Sequence, residues 1–258
     1  MNINISRAAT EITSFIKESC RKESCQSVFI GLSGGIDSST ALYLAAKSLG
    51  INHVYPVLLP YGNLSTEDTK DAWSVVKSLH IPSKNIEIID IKPFVDSVVT
   101  YDSEMDDLRK GNVMARMRTI ILFDLARKNN YLVVGTENKT EHLLGYYTRF
   151  GDEASDIEPL RNLYKSQVFE LAKFLNVPEK IVQKTPSAGL WSGQTDEKEF
   201  GFTYKEADKI LYLYSEKRVS KVEIQNMGFK KSLVEKIWYW IEKGEVKERL
   251  PYIYNSKS

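Results

Sequence analysis

The sequence is poor in cysteine and histidine, which limits the redox and metal chemistry that it can support. Its 258 residues include two cysteines, Cys20 and Cys25, and three histidines, His53, His80 and His142. Two cysteines form neither a disulfide framework nor a four-cysteine zinc site, and their spacing differs from the redox Cys-x-x-Cys motif. We therefore expect two reduced thiols. Because the histidines are not clustered, we expect them to be ordinary structural residues.

Long apolar runs and an excess of positive charge are also missing. No run of about 18 apolar residues occurs, and residues 1–10 lack the apolar stretch of a signal peptide. The 35 Lys and Arg residues are balanced by 34 Asp and Glu residues, so the chain lacks the overall basic bias that favours nucleic-acid binding. These absences predict a cytoplasmic protein with neither a membrane nor a nucleic-acid partner.

Strand-like and helix-like segments alternate through the first half of the chain. Apolar residues at helical spacing indicate the helices, and β-branched or aromatic runs indicate the strands. In chain order the predicted elements are helix 6–19, strand 27–32, helix 40–49, strand 53–59, helix 65–79, strand 86–91, helix 112–128 and strand 131–136. This alternation predicts an α/β fold with one mainly parallel, doubly wound sheet.

Three details refine this prediction. Pro56 lacks a backbone N–H, which suggests an irregular or edge strand. Ser65 and the acidic residues after it match a helix-capping pattern. Four further helices make the C-terminal portion helical, and without a linker the simplest prediction is a single domain over residues 1–258. These helices are predicted at 164–175, 178–183, 203–214 and 230–243.

The segment Ser33-Gly34-Gly35-Ile36-Asp37-Ser38-Ser39 follows a predicted strand and precedes a predicted helix. Ligands of parallel sheets bind outside the carboxyl ends of the strands, here 32–37, 59–62 and 134–136. Backbone N–H groups at a helix start bind anions, serine hydroxyls add donors, and glycines let the backbone approach a ligand. The segment matches neither the Walker nor the dinucleotide pattern. It predicts a phosphate site, with an ordinary glycine-rich turn as the alternative.

With these residues the segment resembles the pyrophosphate-binding loop of the ATP pyrophosphatase superfamily, which has an adenine nucleotide alpha hydrolase-like fold. Members split ATP between its α and β phosphates. The resemblance implies that Asp37 binds magnesium, because an acidic side chain beside a polyphosphate needs a cation.

A second group of motifs indicates one member of that superfamily. From about residue 6 to residue 215 the chain resembles ammonia-dependent NAD synthetases. GMP synthetases, asparagine synthetases and tRNA-modifying members share the loop but lack the Gly-Tyr-Tyr-Thr-Arg-Phe-Gly-Asp stretch. The motifs lie at 111–116, 135–141, 144–152, 156, 164–166, 186–191 and 193–197.

The resemblance implies a two-step reaction in a homodimer. The carboxylate of deamido-NAD attacks the α-phosphorus of ATP with the help of Mg²⁺ and releases pyrophosphate, and ammonia then converts the adenylate to NAD and AMP. Because no glutaminase segment is evident in the sequence, we expect free ammonia, or ammonia from a separate protein, as the nitrogen source.

The resemblance also assigns roles to individual residues. Asp37 and Lys165 would be catalytic, and Asp37 and Glu141 would bind magnesium. The residues implied to contact ATP are Gly31, Leu32, Ser33, Gly34, Gly35, Ile36, Asp37, Ser38, Thr136, Lys165 and Ser187.

Three residues are implied to contact deamido-NAD, namely Arg116, Arg149 and Asp156. Taken singly, several assignments have an ordinary alternative. Arg116 also fits a surface helix position, Glu141 an exposed carboxylate, and Lys165 a solvated lysine of a first helical turn.

Four places depart from the family pattern. Gly62 stands where a basic residue is usual, Met114 replaces a lysine, and Gly189 replaces an aspartate. The usual C-terminal His-Lys pair has no clear counterpart around residues 245–249. These departures leave open a paralogue that amidates another carboxylate, or an ATP-binding homologue without activity. A tRNA-modifying enzyme would be expected to show a basic surface or a cysteine-rich site, and neither is evident.

Overall fold

The computed structural model describes residues 3–191 and 193–248, and a sheet of four parallel strands lies at the centre of this part of the chain. The order of the strands is β3-β2-β1-β4. Because β2 and β4 lie on opposite sides of β1, the sheet has a topological switch point there, and a crevice opens at the carboxyl ends. The strands are β1 (Val28–Gly31), β2 (Val54–Leu58), β3 (Glu87–Ile88) and β4 (Leu132–Val134).

Twelve α-helices occur in the same described residues. They are α1 (Ile5–Lys22), α2 (Ile36–Leu49), α3 (Thr66–Ser78), α4 (Lys92–Val99), α5 (Asp107–Asn129), α6 (Lys139–Leu144), α7 (Lys165–Phe174), α8 (Glu179–Gln183), α9 (Asp196–Phe200), α10 (Tyr204–Ser215), α11 (Lys221–Asn226) and α12 (Lys231–Glu248). None of the described helices is long and apolar enough to cross a bilayer.

Successive residues of β1 point to opposite faces of the sheet, and each face has its own hydrophobic core. Val28 and Ile30 pack in the core that includes residues of α1, α2 and α7. Phe29 packs on the other face with residues of α4 and α5, including Val95 and Met114. Because helices cover both faces, the predicted doubly wound α/β fold is confirmed.

The C-terminal helices form a third hydrophobic core, beside the sheet layers. Ile210 of α10 and Ile237 of α12 are fully buried in it, together with Leu144 of α6. The predicted helical C-terminal portion is confirmed, whereas a single domain over residues 1–258 stays a prediction.

The prediction for Pro56 was wrong, because β2 is an interior strand with β1 on one side and β3 on the other. The N–H of Leu32 donates to the carbonyl of Val57, so Val57 directs its polar groups towards β1. Pro56 therefore faces the β3 side. On that side β3 pairs only with Val57 and Leu58, so the missing N–H of Pro56 removes no hydrogen bond between β2 and β3.

Some predicted boundaries also differ from the structure. The strand predicted at 86–91 shrinks to Glu87–Ile88, and α2 begins at Ile36 because the end of the phosphate loop enters its first turn. Four short helices (α4, α6, α9 and α11) were not predicted, since one or two turns show too little periodicity. Ser65 does not cap α3 with its side chain, because its hydroxyl accepts the N–H of Tyr61 at 3.2 Å.

Gly34 holds the loop after β1 against α3. Its φ is +76°, and a Cβ at this position would lie 2.4 Å from the carbonyl oxygen of Asp68 and 2.9 Å from the nitrogen of Ala72. Both are backbone atoms, so they cannot move aside as a flexible side chain can. Gly34 is required for packing on α3, and its predicted contact with ATP stays a prediction.

We expect Gly34→Ala to lower the free energy of unfolding by about 3 kcal/mol or more, because backbone strain and a backbone clash add together. Gly228→Ala is the matched control. Gly228 also has a positive φ, +88°, but a Cβ there has nothing within 4 Å, so a loss of about 1 kcal/mol is expected. Urea denaturation of both variants measures the difference, and equal losses would contradict the packing role.

Candidate active site

A cavity of about 670 Å³ opens at the carboxyl ends of the strands. All three predicted strand ends contribute to its wall, through Leu32, Leu59 and Val134. Most of the predicted site residues also line it. These are Gly31, Leu32, Ser33, Gly35, Ile36, Asp37, Ser38, Arg116, Thr136, Glu141, Arg149, Lys165 and Ser187.

The loop after β1 presents hydroxyls and amides to this cavity. The Ser33 and Ser38 hydroxyls lie 3.0 Å apart, and the N–H of Gly35 donates to the Ser33 Oγ at 3.2 Å. The N-cap residue of α2, Gly35, makes no side-chain capping hydrogen bond. The first N–H groups of α2 are therefore available to an anion at the positive end of the helix dipole.

Lys165 joins the two predicted magnesium ligands. Its Nζ donates to Asp37 Oδ2 at 2.5 Å and to Glu141 Oε1 at 2.8 Å. Asn138 Nδ2 donates to the other Asp37 oxygen at 2.9 Å. The alternatives of a solvated lysine and a free surface carboxylate are wrong, since only 1% of Lys165 is exposed and 16% of the Glu141 side chain.

The starts of α6 and α7 hold these groups in place. Thr140 Oγ1 accepts the N–H of Lys165 at 2.8 Å and donates to Asp208 Oδ1 at 2.5 Å. The second Asp208 oxygen accepts the N–H of Ser166 at 2.8 Å. Asp208 lies on α10 and is fully buried, so the third core fixes the position of the lysine. Sequence reasoning missed Thr140 and Asp208, because their pairing spans 68 residues.

Burial and charge act in opposite senses on the pKa values of this group. Burial would lower the pKa of Lys165, but Asp37, Glu141 and Asp196 raise it above its ordinary value. Burial raises the pKa of Glu141 to about 8, with Lys165 opposing and Asp37 adding to this shift. One ammonium group thus pairs with two carboxylates. When both carboxylates are ionised, the three side chains together carry one negative charge.

The donor set fits magnesium that is shared with a phosphate. Asp37 and Glu141 both face the cavity beside the phosphate loop. Among the described residues no three His, Cys, Asp or Glu side chains cluster as a metal site. Mg²⁺ commonly takes one or two carboxylates and completes its octahedron with water and substrate phosphates. Two carboxylates next to a phosphate loop satisfy that pattern.

The residues predicted to contact deamido-NAD do not all line the cavity. Arg116 lines the cavity, and its Nε donates to the carbonyl of Arg149 at 3.2 Å. Asp156 is exposed and lies outside this cavity, where its Oδ2 accepts the N–H of Val133 at 2.7 Å along the edge of β4. Its predicted contact with the substrate stays a prediction.

The four departures from the family pattern lie in different parts of the structure. Met114 is fully buried in the core under the sheet and does not line the cavity. Gly62 has φ +49° and lies against the stem of Lys92, whereas Gly189 lines the cavity. Near the C-terminus, Lys247 lines the cavity and donates to the carbonyls of Gly145 and Tyr147; Arg249 lies outside the described residues. Lys247 lies in the region 245–249 where the family's His-Lys pair was expected, although no motif assigned it a role.

The segment after α8 is tied to the cavity by Asp196. Asp196 Oδ1 accepts the N–H of Ala188 at 3.0 Å and the hydroxyl of Tyr146 at 3.1 Å, and its Oδ2 accepts the hydroxyl of Tyr204 at 2.8 Å. The Tyr204 ring also lies 4.9 Å from Lys165 Nζ. His142 lies outside the cavity lining and contacts Arg161.

Comparison with known proteins agrees with this geometry. A sequence profile of the family NAD synthase matches residues 8–251. The chain is 41% identical to the NH(3)-dependent NAD(+) synthetase of Fusobacterium nucleatum, over 100% of this chain and 98% of that one. It is 45% identical to the enzyme of the same name from Thermococcus kodakarensis, over 95% and 96% of the two chains.

Two solved structures share the fold over nearly the whole chain. The NMN synthetase of Francisella tularensis is 36% identical, with a TM-score of 0.86, over 98% of this chain and 100% of that one. The NH3-dependent NAD synthetase of Campylobacter jejuni, in complex with the nitrate ion, is 28% identical, with a TM-score of 0.82 and the same coverage.

The burial of Glu141 predicts a pH-dependent stability, because it raises the pKa of this carboxyl although Lys165 opposes the shift. The folded chain binds the Glu141 proton more tightly than the unfolded chain, because the folded pKa is about 8 against an ordinary 4.5. Stability should therefore fall as pH rises from about 4.5 to about 8, and Glu141→Gln should remove this part of the fall, about 3 to 5 kcal/mol. Urea denaturation without magnesium across this pH range measures it.

The control variant is Glu170→Gln, an exposed residue of α7, which should keep the wild-type pH profile. Parallel profiles for the wild type and Glu141→Gln would contradict the raised pKa of the buried Glu141 carboxyl.

Proposed function

Since the chain belongs to the NAD synthase family and is therefore a carbon–nitrogen ligase, we propose that it converts deamido-NAD to NAD with ammonia and ATP. The supporting observation is the placement of one buried ammonium and two carboxylates beside a phosphate-type loop in one cavity. A carboxylate does not react with ammonia directly, because its leaving group would be oxide. Transfer of AMP to the carboxylate provides a better leaving group.

In the first step a nicotinate carboxylate oxygen attacks the α-phosphorus of ATP, the bond to the β-phosphate oxygen breaks, and pyrophosphate leaves. In the second step the nitrogen of ammonia attacks the acyl carbon. The bond from that carbon to the AMP oxygen then breaks, and one proton is released. Both steps require positioning and charge stabilisation more than covalent chemistry from the protein.

The residues of the cavity have matching roles. Ser33, Ser38 and the first amides of α2 would hold the phosphates. Lys165 would stabilise negative charge on the transferred phosphoryl group. Asp37 and Glu141 would hold Mg²⁺, which neutralises phosphate charge when it is bound.

Residues on the remaining walls would hold the two nucleotides. Thr136 and Ser187 would contact ATP, and Arg116 with Arg149 would contact deamido-NAD. The proposal includes a homodimer, which the family resemblance implies, and a cytoplasmic location.

A second candidate substrate is the carboxylate of deamido-NMN, which would be amidated to NMN by the same two steps. One observation favours it: the Francisella tularensis protein with a TM-score of 0.86 is described as an NMN synthetase. The substitution at Gly189 lies on the cavity wall, where it can alter the choice of substrate without changing the phosphate loop.

The function is tested by pyrophosphate release from Mg·ATP, with the carboxylate substrate and ammonium omitted one at a time. We expect release that depends on deamido-NAD, and formation of NAD and AMP when ammonium is added. A higher kcat/KM with deamido-NMN would establish the second candidate instead. ATP binding without release from either substrate would contradict both candidates.

The role of Lys165 gives a sharper prediction. Lys165→Met should lower the rate of pyrophosphate release by about 100-fold or more, because the buried positive charge beside the phosphates is lost. Lys173→Met, at an exposed position of the same helix, should keep the wild-type rate. Circular dichroism confirms that each variant is folded, and a folded Lys165→Met variant with wild-type activity would contradict the role.

A further inference from the structure

Arg118 is a cation of the cavity that no motif assigned. It lies on α5, lines the cavity, and donates its Nε–H to the carbonyl oxygen of Leu59 at 3.1 Å. Leu59 directly follows β2, so this hydrogen bond fixes the guanidinium at the carboxyl end of the strand next to β1. The planar guanidinium has further N–H donors beyond the one that Leu59 accepts.

The helix face that carries Arg118 lines the cavity and reaches the end of β1. Ala115, Arg118 and Leu122 are three and four residues apart, so they share one face of α5, and all three line the cavity. A Cβ at Gly31 would lie 3.2 Å from Leu122 Cδ1. Gly31 is the last residue of β1, just before the loop. Leu122, which lies beside Gly31, is one helical turn from Arg118 on α5.

Arg118 lacks a counter-ion in the part of the chain that the structure describes. None of the described carboxylates forms a salt bridge with it, whereas Lys184 on the same cavity wall pairs with Asp68 and Asp71. Burial lowers the pKa of Arg118, although Asp152 and Asp68 oppose this from a longer distance. Arg118 is half-buried, and a half-buried guanidinium with one carbonyl partner is stabilised when an anion enters.

We propose that Arg118 binds a phosphate group of ATP beside the Ser33–Ser38 loop. The proposal rests on the proposed function, because it takes ATP as the ligand of this cavity. Arg118 would supply bidentate hydrogen bonds to phosphate oxygens, as guanidinium groups do, and so complement the monodentate donors of the loop.

The test is calorimetric titration of the full chain with ATP, adenosine and deamido-NAD. Arg118→Gln should weaken ATP binding by about 10- to 100-fold, the range expected for a lost hydrogen bond to a charged group. Adenosine, which has no phosphate, should bind within about twofold of the wild type. Arg127→Gln, at an exposed position of the same helix, should leave both affinities unchanged.

Arg118→Lys keeps the charge but loses the planar fork, so it should weaken ATP binding by a smaller factor, and it provides a second variant if Arg118→Gln does not fold. Equal losses for ATP and adenosine would assign Arg118 to a structural role and overturn the proposal. Unchanged ATP affinity, or a loss confined to deamido-NAD, would also overturn it. A wild-type chain that binds no ATP would contradict the proposed function itself.

Discussion

The position of one buried ammonium, that of Lys165, determines how the active-site end of the molecule is assembled. It lies on α7 and bonds to Asp37 on α2 and Glu141 on α6, so three helices from distant parts of the chain meet at one charge. A buried cation is costly unless it is fully paired. The pairing with two carboxylates offsets this cost.

The sheet topology explains why this charge lies beside the phosphate loop. Because β4 lies on the other side of β1 from β2, the loop after β1 and the start of α6 after β4 flank the same crevice. Gly34 keeps the loop in place by contact with the backbone of α3. The C-terminal helices take part as well, since Asp208 of α10 binds the first residues of α7. The Lys165 group thus depends on both the sheet and the third core.

The departures from the family pattern have different structural consequences, because they lie in different parts of the fold. Met114 belongs to the core under the sheet, so its replacement of a lysine is a matter of packing. Gly189 lies on the cavity wall, where a substitution changes what a ligand meets. Lys247 reaches the cavity from α12. The departures therefore fall in the core and on the cavity wall, while the loop after β1 and the Lys165 group keep the residues that the sequence motifs predict.

The parallel α/β fold and the family could be predicted from the sequence, because they depend on periodicity and on contiguous motifs, and the phosphate role of the loop after β1 stays a prediction. Tertiary structure alone decided that Pro56 lies in an interior strand, that Asp156 lies outside the cavity, and that Arg118 lines it without a carboxylate partner among the described residues. The physical reason is distance along the chain. Strand order, burial and ion pairing arise between residues far apart in sequence, and local patterns do not encode which of these residues meet.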